Sequence, residues 1–163
     1  MSDESCKHAR HAIDMLRADH RQVQEWFDEF QNCQSMQQKQ ELALLICEAI
    51  RQHAKIDARV FYPAFLAATG DEYKCQAMLR EDQDINELID EIEGSGPSED
   101  SFFAKIHLLC TMFEHHVRQE EKERGVFNEA LHSGLDVDTL GRHPESSSLL
   151  PESQRAPYAR GHA

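Results

Sequence analysis

The chain has 163 residues, a formal net charge of -13 and 40% hydrophobic residues. That is one domain with enough apolar content for a core. The negative charge argues against a phosphate backbone as partner and suits cations, and no apolar run is long enough to span a bilayer.

Gly and Pro are scarce before the C-terminal stretch, while Glu, Gln, Leu and Ala are common, which favours helices over sheet. The N-terminus, Met1-Ser-Asp-Glu-Ser-Cys-Lys-His, lacks the apolar core of a signal peptide. The five cysteines (6, 33, 47, 75 and 110) are odd in number and show no Cys-x-x-Cys spacing. They are expected to be reduced thiols of a cytoplasmic protein, with Cys47, Cys75 and Cys110 serving as small apolar packers.

The first predicted helix runs from about Ser5 to Phe30, with an apolar stripe at Ile13, Leu16, His20, Val23, Phe27 and Phe30. His20 stands at a core position of that stripe. Asn32 to Ser35 is a turn, and Ser35-x-x-Gln38 has the pattern of a capping box.

The second predicted helix runs from about Met36 to Phe61. Its stripe is Leu42, Ile46, Ala49, His53, Ile56 and Val60, and Asp57 shares the face of His53 four residues on. Pro63 is expected to kink or end this helix near Phe61-Tyr62. Tyr62 itself is assigned to packing rather than to redox chemistry. Thr69-Gly70-Asp71 is a turn with Asp71 as N-cap.

The third predicted helix, from about Glu72 to Glu93, carries Cys75, Met78, Asp82, Ile85, Ile89 and Ile92, with Asp82 as the intruder. Gly94 to Ser98 ends it. The fourth, from about Glu99 to Leu131, carries Phe102, Ile106, Leu109 and Phe113, then His116 and Glu120, then Phe127. His115 and Glu121 lie beside that stripe as alternatives to their neighbours. Residues 133–163 lose helical periodicity and are expected to form a disordered tail, in which Leu149-Leu150 and Tyr158 are a candidate docking motif.

The expected fold is therefore all-α: an antiparallel up-down-up-down four-helix bundle over residues 1–132. Each stripe contains one residue of metal-ligand type, and the spacing repeats. His20 and His53 are 33 residues apart, Asp82 and His116 are 34 apart, and His53 and His116 are each followed at +4 by a carboxylate. Two hairpins of one plan would bring His20, His53, Asp57, Asp82, His116 and Glu120 to one centre.

One buried histidine is more often a satisfied core residue than a ligand. Three in stripe positions, two of them with a carboxylate at +4, favour a metal. Burying such carboxylates without a partner would cost several kcal/mol. Imidazole and carboxylate donors suit iron first, then manganese or zinc. Two ions sharing these six groups would keep open positions for water or oxygen species.

These residues resemble the hemerythrin family, specifically the hemerythrin-like HHE cation-binding domain. The resemblance is carried by Leu16-Arg-Ala-Asp-His20, by Ile50-Arg-Gln-His53-Ala-Lys-Ile-Asp57-Ala-Arg-Val-Phe-Tyr-Pro63, by Asp84 to Glu93 and by His115-His-Val-Arg-Gln-Glu-Glu121. It spans roughly residues 11 to 130. It implies a four-helix bundle with a non-haem di-iron centre, and places His20, His53, Asp57, His116 and Glu120 on ligand positions. The family usually has Glu where Asp57 stands and His where Asp82 stands, and Asn86 occupies the place of a further His of the oxygen carriers.

An Asp in place of His adds a hard, negative ligand that favours Fe(III) and works against reversible oxygen carriage. A single-ion or weak site is the alternative outcome of these departures. The function expected is a cytoplasmic di-iron protein that senses or handles iron, dioxygen, peroxide or nitric oxide. The alternatives are an interaction module that docks a protein through its tail, and a ferroxidase or peroxidase-like enzyme.

Overall fold

The computed structural model describes the backbone of residues 3–96 and 100–133, with side chains from residue 13 onward. The tail from 134 on, with Leu149, Leu150 and Tyr158, lies outside the described residues, as do Pro97 and Ser98 of the turn and the side chain of Cys6. All regular structure among the described residues is helical: α1 (Asp3–Asn32), α2 (Met36–Ile56), a π-helical segment (Asp57–Phe61), α3 (Tyr62–Thr69), α4 (Glu72–Gly94), α5 (Asp100–Glu121) and α6 (Val126–His132). None of these helices is long and apolar enough to cross a membrane.

The four long helices form a bundle in which α1 packs on α2 and α5, and α4 packs on α5 and α2. Each buries the stripe its sequence marks. Val23, Ile46, Ile89, Leu109 and Phe113 are wholly enclosed, together with Trp26, which stands beside the α1 stripe. Arg51 on α2 bridges to Asp90 and Glu93 on α4 across the outside of the bundle. Cys47 and Cys75 are buried free thiols, and Cys33 and Cys110 are free and partly buried. Burial pushes the Cys47 thiol up to about 12, so it packs as a neutral group.

Two local expectations are corrected, the capping box and the unbroken last helix, while the disturbance expected at Pro63 takes the form of a π-helical turn. Ser35 does cap α2, its Oγ accepting from the Gln38 N–H at 3.3 Å, but the Gln38 side chain does not close the box. Its Oε1 accepts from the Cys33 thiol instead. Pro63 does not end the second helix, because the chain stays helical to Thr69. The proline ring would clash with the carbonyl four residues back in a regular α-helix. The disturbance is taken up in the widened turn just before it, where the Tyr62 N–H reaches back to the Asp57 carbonyl.

The last predicted helix is two helices, broken at residues 122–125. The break depends on Gly125. A Cβ there would meet the Gln119 and Glu120 carbonyl oxygens at 2.7 Å and that of Lys122 at 2.9 Å, all of them backbone atoms that cannot swing aside. Close approach at Gly125 folds α6 back on α5 and brings Phe127 to within 5.8 Å of the His20 ring, nearly parallel to it. Lys74 on α4 holds the connection from outside, donating to the Arg124 carbonyl at 3.0 Å and pairing with Glu129. We predict that Gly125→Ala destabilises the fold by about 1–3 kcal/mol, the usual cost of forcing extra volume into a packed site. The check is denaturant unfolding, with an unchanged midpoint refuting the close-packing account.

Candidate metal centre

All six residues named from the sequence are buried. They enter from four directions: His20 from α1, His53 at the end of α2 with Asp57 opening the π segment, Asp82 from α4, and His116 and Glu120 one turn apart on α5. Helical spacing sets each pair, since residues four apart share a face.

Five of the six converge tightly. His53 Nε2 lies 3.2 Å from His20 Nε2 and 3.0 Å from His116 Nε2. It is 2.9 Å from Asp57 Oδ2 and 3.6 Å from Glu120 Oε2. His20 Nε2 is 3.0 Å from Glu120 Oε2, and His116 Nε2 is 3.3 Å from Glu120 Oε1 and 3.5 Å from Asp57 Oδ2. All three imidazoles thus turn Nε2 inward. Aromatic rings wall the cluster: Phe127 stacks on His20, Phe113 on His116, and Phe113 also meets His53 edge-on.

Behind the imidazoles stand more carboxylates. His116 Nδ1 faces Asp82 Oδ1 at 3.3 Å and Glu81 Oε1 at 3.7 Å. His20 Nδ1 faces Glu121 Oε1 at 3.7 Å, and Arg17 reaches the same oxygen. The two alternatives weighed in the sequence are placed by this arrangement. Glu120 is inside the cluster, whereas Glu121 lies behind His20. His116 is inside, whereas His115 is 54% exposed and pairs with Glu81 at 3.4 Å.

Tyr62 belongs to the cluster, contrary to the packing role that its sequence context suggests. Its hydroxyl donates to Glu120 Oε1 at 2.9 Å and approaches Asp57 Oδ2 at 3.4 Å. In a regular α-helix, residues 57 and 62 would point about 140° apart. The i→i+5 turn returns Tyr62 to the face of Asp57. Pro63 is the one signal in the sequence that the helical phase shifts here.

Burial drives the Tyr62 phenol well above its ordinary value, and the Asp57, Glu120 and Asp82 charges push the same way, so it stays protonated and acts as a donor. Tyr62→Phe removes the hydroxyl that donates to Glu120 Oε1. It should cost about 1–3 kcal/mol in chemical denaturation, the penalty for stranding a buried charged acceptor. An unfolding free energy equal to that of the parent would mean that the hydroxyl contributes nothing.

The electrostatics of the cluster are set by burial opposed by the pairing of carboxylates with imidazoles. Burial raises the Asp82 carboxyl to about 8, with Asp57 adding to the rise and His116 opposing it. Burial alone would lower His116, but Glu120, Asp57 and Asp82 outweigh it and lift the imidazole to about 9. His53 is raised for the same reasons by Asp57 and Glu120. Burial would raise Glu120, yet the three imidazoles hold it well below the ordinary carboxylate range. Even so, Asp57 Oδ1, Asp82 Oδ2 and Glu120 Oε2 accept no hydrogen bond. Buried carboxylate oxygens without donors are costly, and a cation between them and the Nε2 atoms removes that cost. The donor set therefore fits a metal ion.

Two groups among the described residues are close enough to hold one: His20, His53, His116 and Glu120, and Asp57, Asp82 and His116. A family model described as the hemerythrin HHE cation binding domain matches residues 11–124, which include all six. No curated protein and no solved structure matches the chain.

Proposed function

Because this chain belongs to the hemerythrin HHE cation-binding domain family, we propose that its buried cluster is a non-haem iron centre that handles a small oxygen or nitrogen species: dioxygen, peroxide or nitric oxide. The observation that carries this reading is the meeting of three imidazole Nε2 atoms and two carboxylates, 2.9 to 3.6 Å apart, inside a sealed core. His20, His53, Asp57, His116 and Glu120 would hold the metal, and Asp82 belongs to the same site. Imidazole and carboxylate together suit iron, and also manganese or zinc. Bound iron would supply redox exchange and affinity for the small ligand.

The chain's own residues do the rest. Phe113 and Phe127 fix the planes of the imidazoles and exclude water. Tyr62 holds Glu120 by its Oε1 and presents a proton at the edge of the site. Behind His20 and His116 stand Glu121 and Asp82, 3.7 and 3.3 Å from the outer nitrogens and not hydrogen-bonded to them, whose negative charge favours a basic imidazole. The acidic donor set favours the ferric state and works against reversible oxygen carriage.

The test is metal analysis of protein purified from iron-supplemented cells, with absorption spectra before and after air exposure. Iron near or above one ion per chain, with a charge-transfer band, supports the reading. Iron far below that, with no such band, removes it.

A further inference from the structure

We propose that the groove between α4 and α5 binds a small hydroxylated organic phosphate, at a site separate from the buried cluster. The groove has a volume of about 540 Å³ and is lined from α4 by Arg80, Glu81 and Asp84 and from α5 by Thr111, His115 and Arg118. Small-molecule sites have volumes of about 300–1,000 Å³.

The two helices run in opposite directions here, since Glu81 meets His115 at 3.4 Å while Ser95 meets Lys105 at 3.0 Å. Sequence position therefore fixes place along the groove. At about 1.5 Å of rise per residue, Arg80 and Arg118 stand about 1.5 and 4.5 Å to one side of the Glu81–His115 contact. Asp84 and Thr111 stand about 4.5 and 6 Å to the other side. One end of the groove is thus cationic from both walls. The other end accepts hydrogen bonds, because the Thr111 hydroxyl donates to the His107 carbonyl at 3.2 Å and leaves its oxygen beside the Asp84 carboxylate.

These ends select the ligand. Among the described residues, neither Arg80 nor Arg118 is held in an ion pair. Glu114, one turn before Arg118, takes the Cys110 thiol instead. Glu81 points Oε1 toward His116 at 3.7 Å and Oε2 toward His115, so its charge is turned away from the arginines. Two guanidinium forks on opposite walls suit the three terminal oxygens of a phosphate ester. A carboxylate has two oxygens, which one fork fills. Asp84 and the Thr111 oxygen call for donors, which hydroxyl groups supply. The ends are about 6 Å apart along α4 and about 10 Å along α5. A phosphate ester of a three- to six-carbon polyol spans that distance.

The experiment is isothermal titration calorimetry on the full chain at low ionic strength, with glycerol 3-phosphate, inorganic phosphate and malate as probes. The proteins are the parent, Arg80→Gln, Arg118→Gln, Asp84→Ala and, as a control outside the groove, Arg21→Gln. All four substituted side chains are exposed, so the variants should fold as the parent does. Glycerol 3-phosphate should bind the parent saturably at one per chain. Arg80→Gln and Arg118→Gln should each weaken it about 10-fold, as loss of a charge-assisted hydrogen bond does, while Arg21→Gln binds as the parent. Asp84→Ala should weaken glycerol 3-phosphate but not inorganic phosphate. Absence of saturable binding to the parent would overturn the site, and an equal loss in Arg21→Gln would reduce it to attraction by overall charge. Malate binding as tightly as glycerol 3-phosphate would overturn the choice of phosphate, and an Asp84→Ala variant that binds both phosphates like the parent would overturn the assigned orientation.

Discussion

Replacing His53 by alanine is expected to strip the centre of metal and to weaken the fold at the same time. His53 is the hub of the cluster, with its Nε2 within 3.6 Å of His20, His116, Asp57 and Glu120. Its loss deletes one of five donors. Affinity should therefore fall by more than the roughly 10- to 100-fold typical of an outer-shell change. The metal-free protein suffers as well, because Asp57 and Glu120 lose the imidazolium beside them while remaining wholly buried. Breaking a buried pair from one side costs about 3–5 kcal/mol. His115→Ala is the matched control, since that ring is exposed and faces outward. Metal content and unfolding free energy measured on the two variants should separate cleanly, and equal effects at 53 and 115 would refute the placement of the site.

The second large effect concerns pH and metal together. His116 has a folded value near 9, above the ordinary 6.5 of a free imidazole, because Glu120, Asp57 and Asp82 outweigh burial. Its stabilisation of the metal-free protein is complete below about 6.5 and is lost as pH rises through about 9. Asp82, raised by burial from 3.8 to about 8, works in the same direction and loses its contribution as pH climbs toward 8. Glu120 has the opposite sign. Its contribution is present above its ordinary value of 4.5 and disappears as pH falls toward its depressed folded value. The metal-free protein should therefore melt highest in mildly acid solution and progressively lower from pH 6.5 to 9.

Metal reverses that trend. Binding displaces protons from the imidazoles, so affinity rises with pH. The loaded protein should gain on the metal-free protein in step. With metal at about 100 times its dissociation constant the gain is about 2.7 kcal/mol. For a domain of this size that is about 10 °C in melting temperature. Paired melting curves at pH 6, 7.5 and 9 provide the check. A gap that is absent, or that narrows as pH rises, would show that the imidazoles do not exchange protons for metal.

Much of this site was legible in the chain itself. A helix repeats every 3.6 residues, so an apolar stripe names the face that goes inside. Any polar residue on the stripe must go inside with it. His20, His53, Asp82, His116 and Glu120 were found in that way, and Asp57 followed from sharing the face of His53. Their burial needed nothing beyond local periodicity. The even spacing of the two halves also pointed to a common meeting place.

What periodicity could not express is rotation and depth. Tyr62 lies off the α-helical face of Asp57 and returns to it only because the turn before Pro63 is widened. The fold of α6 onto α5 depends on a glycine approaching three backbone carbonyls, which are contacts rather than a sequence pattern. Which side of the His116 ring meets Asp82 is set by the distance between α4 and α5 and by the length of one side chain. Face is a property of a single helix and is written in its sequence. The atom that a side chain turns toward a common point depends on how neighbouring helices pack, and only the assembled bundle decides it.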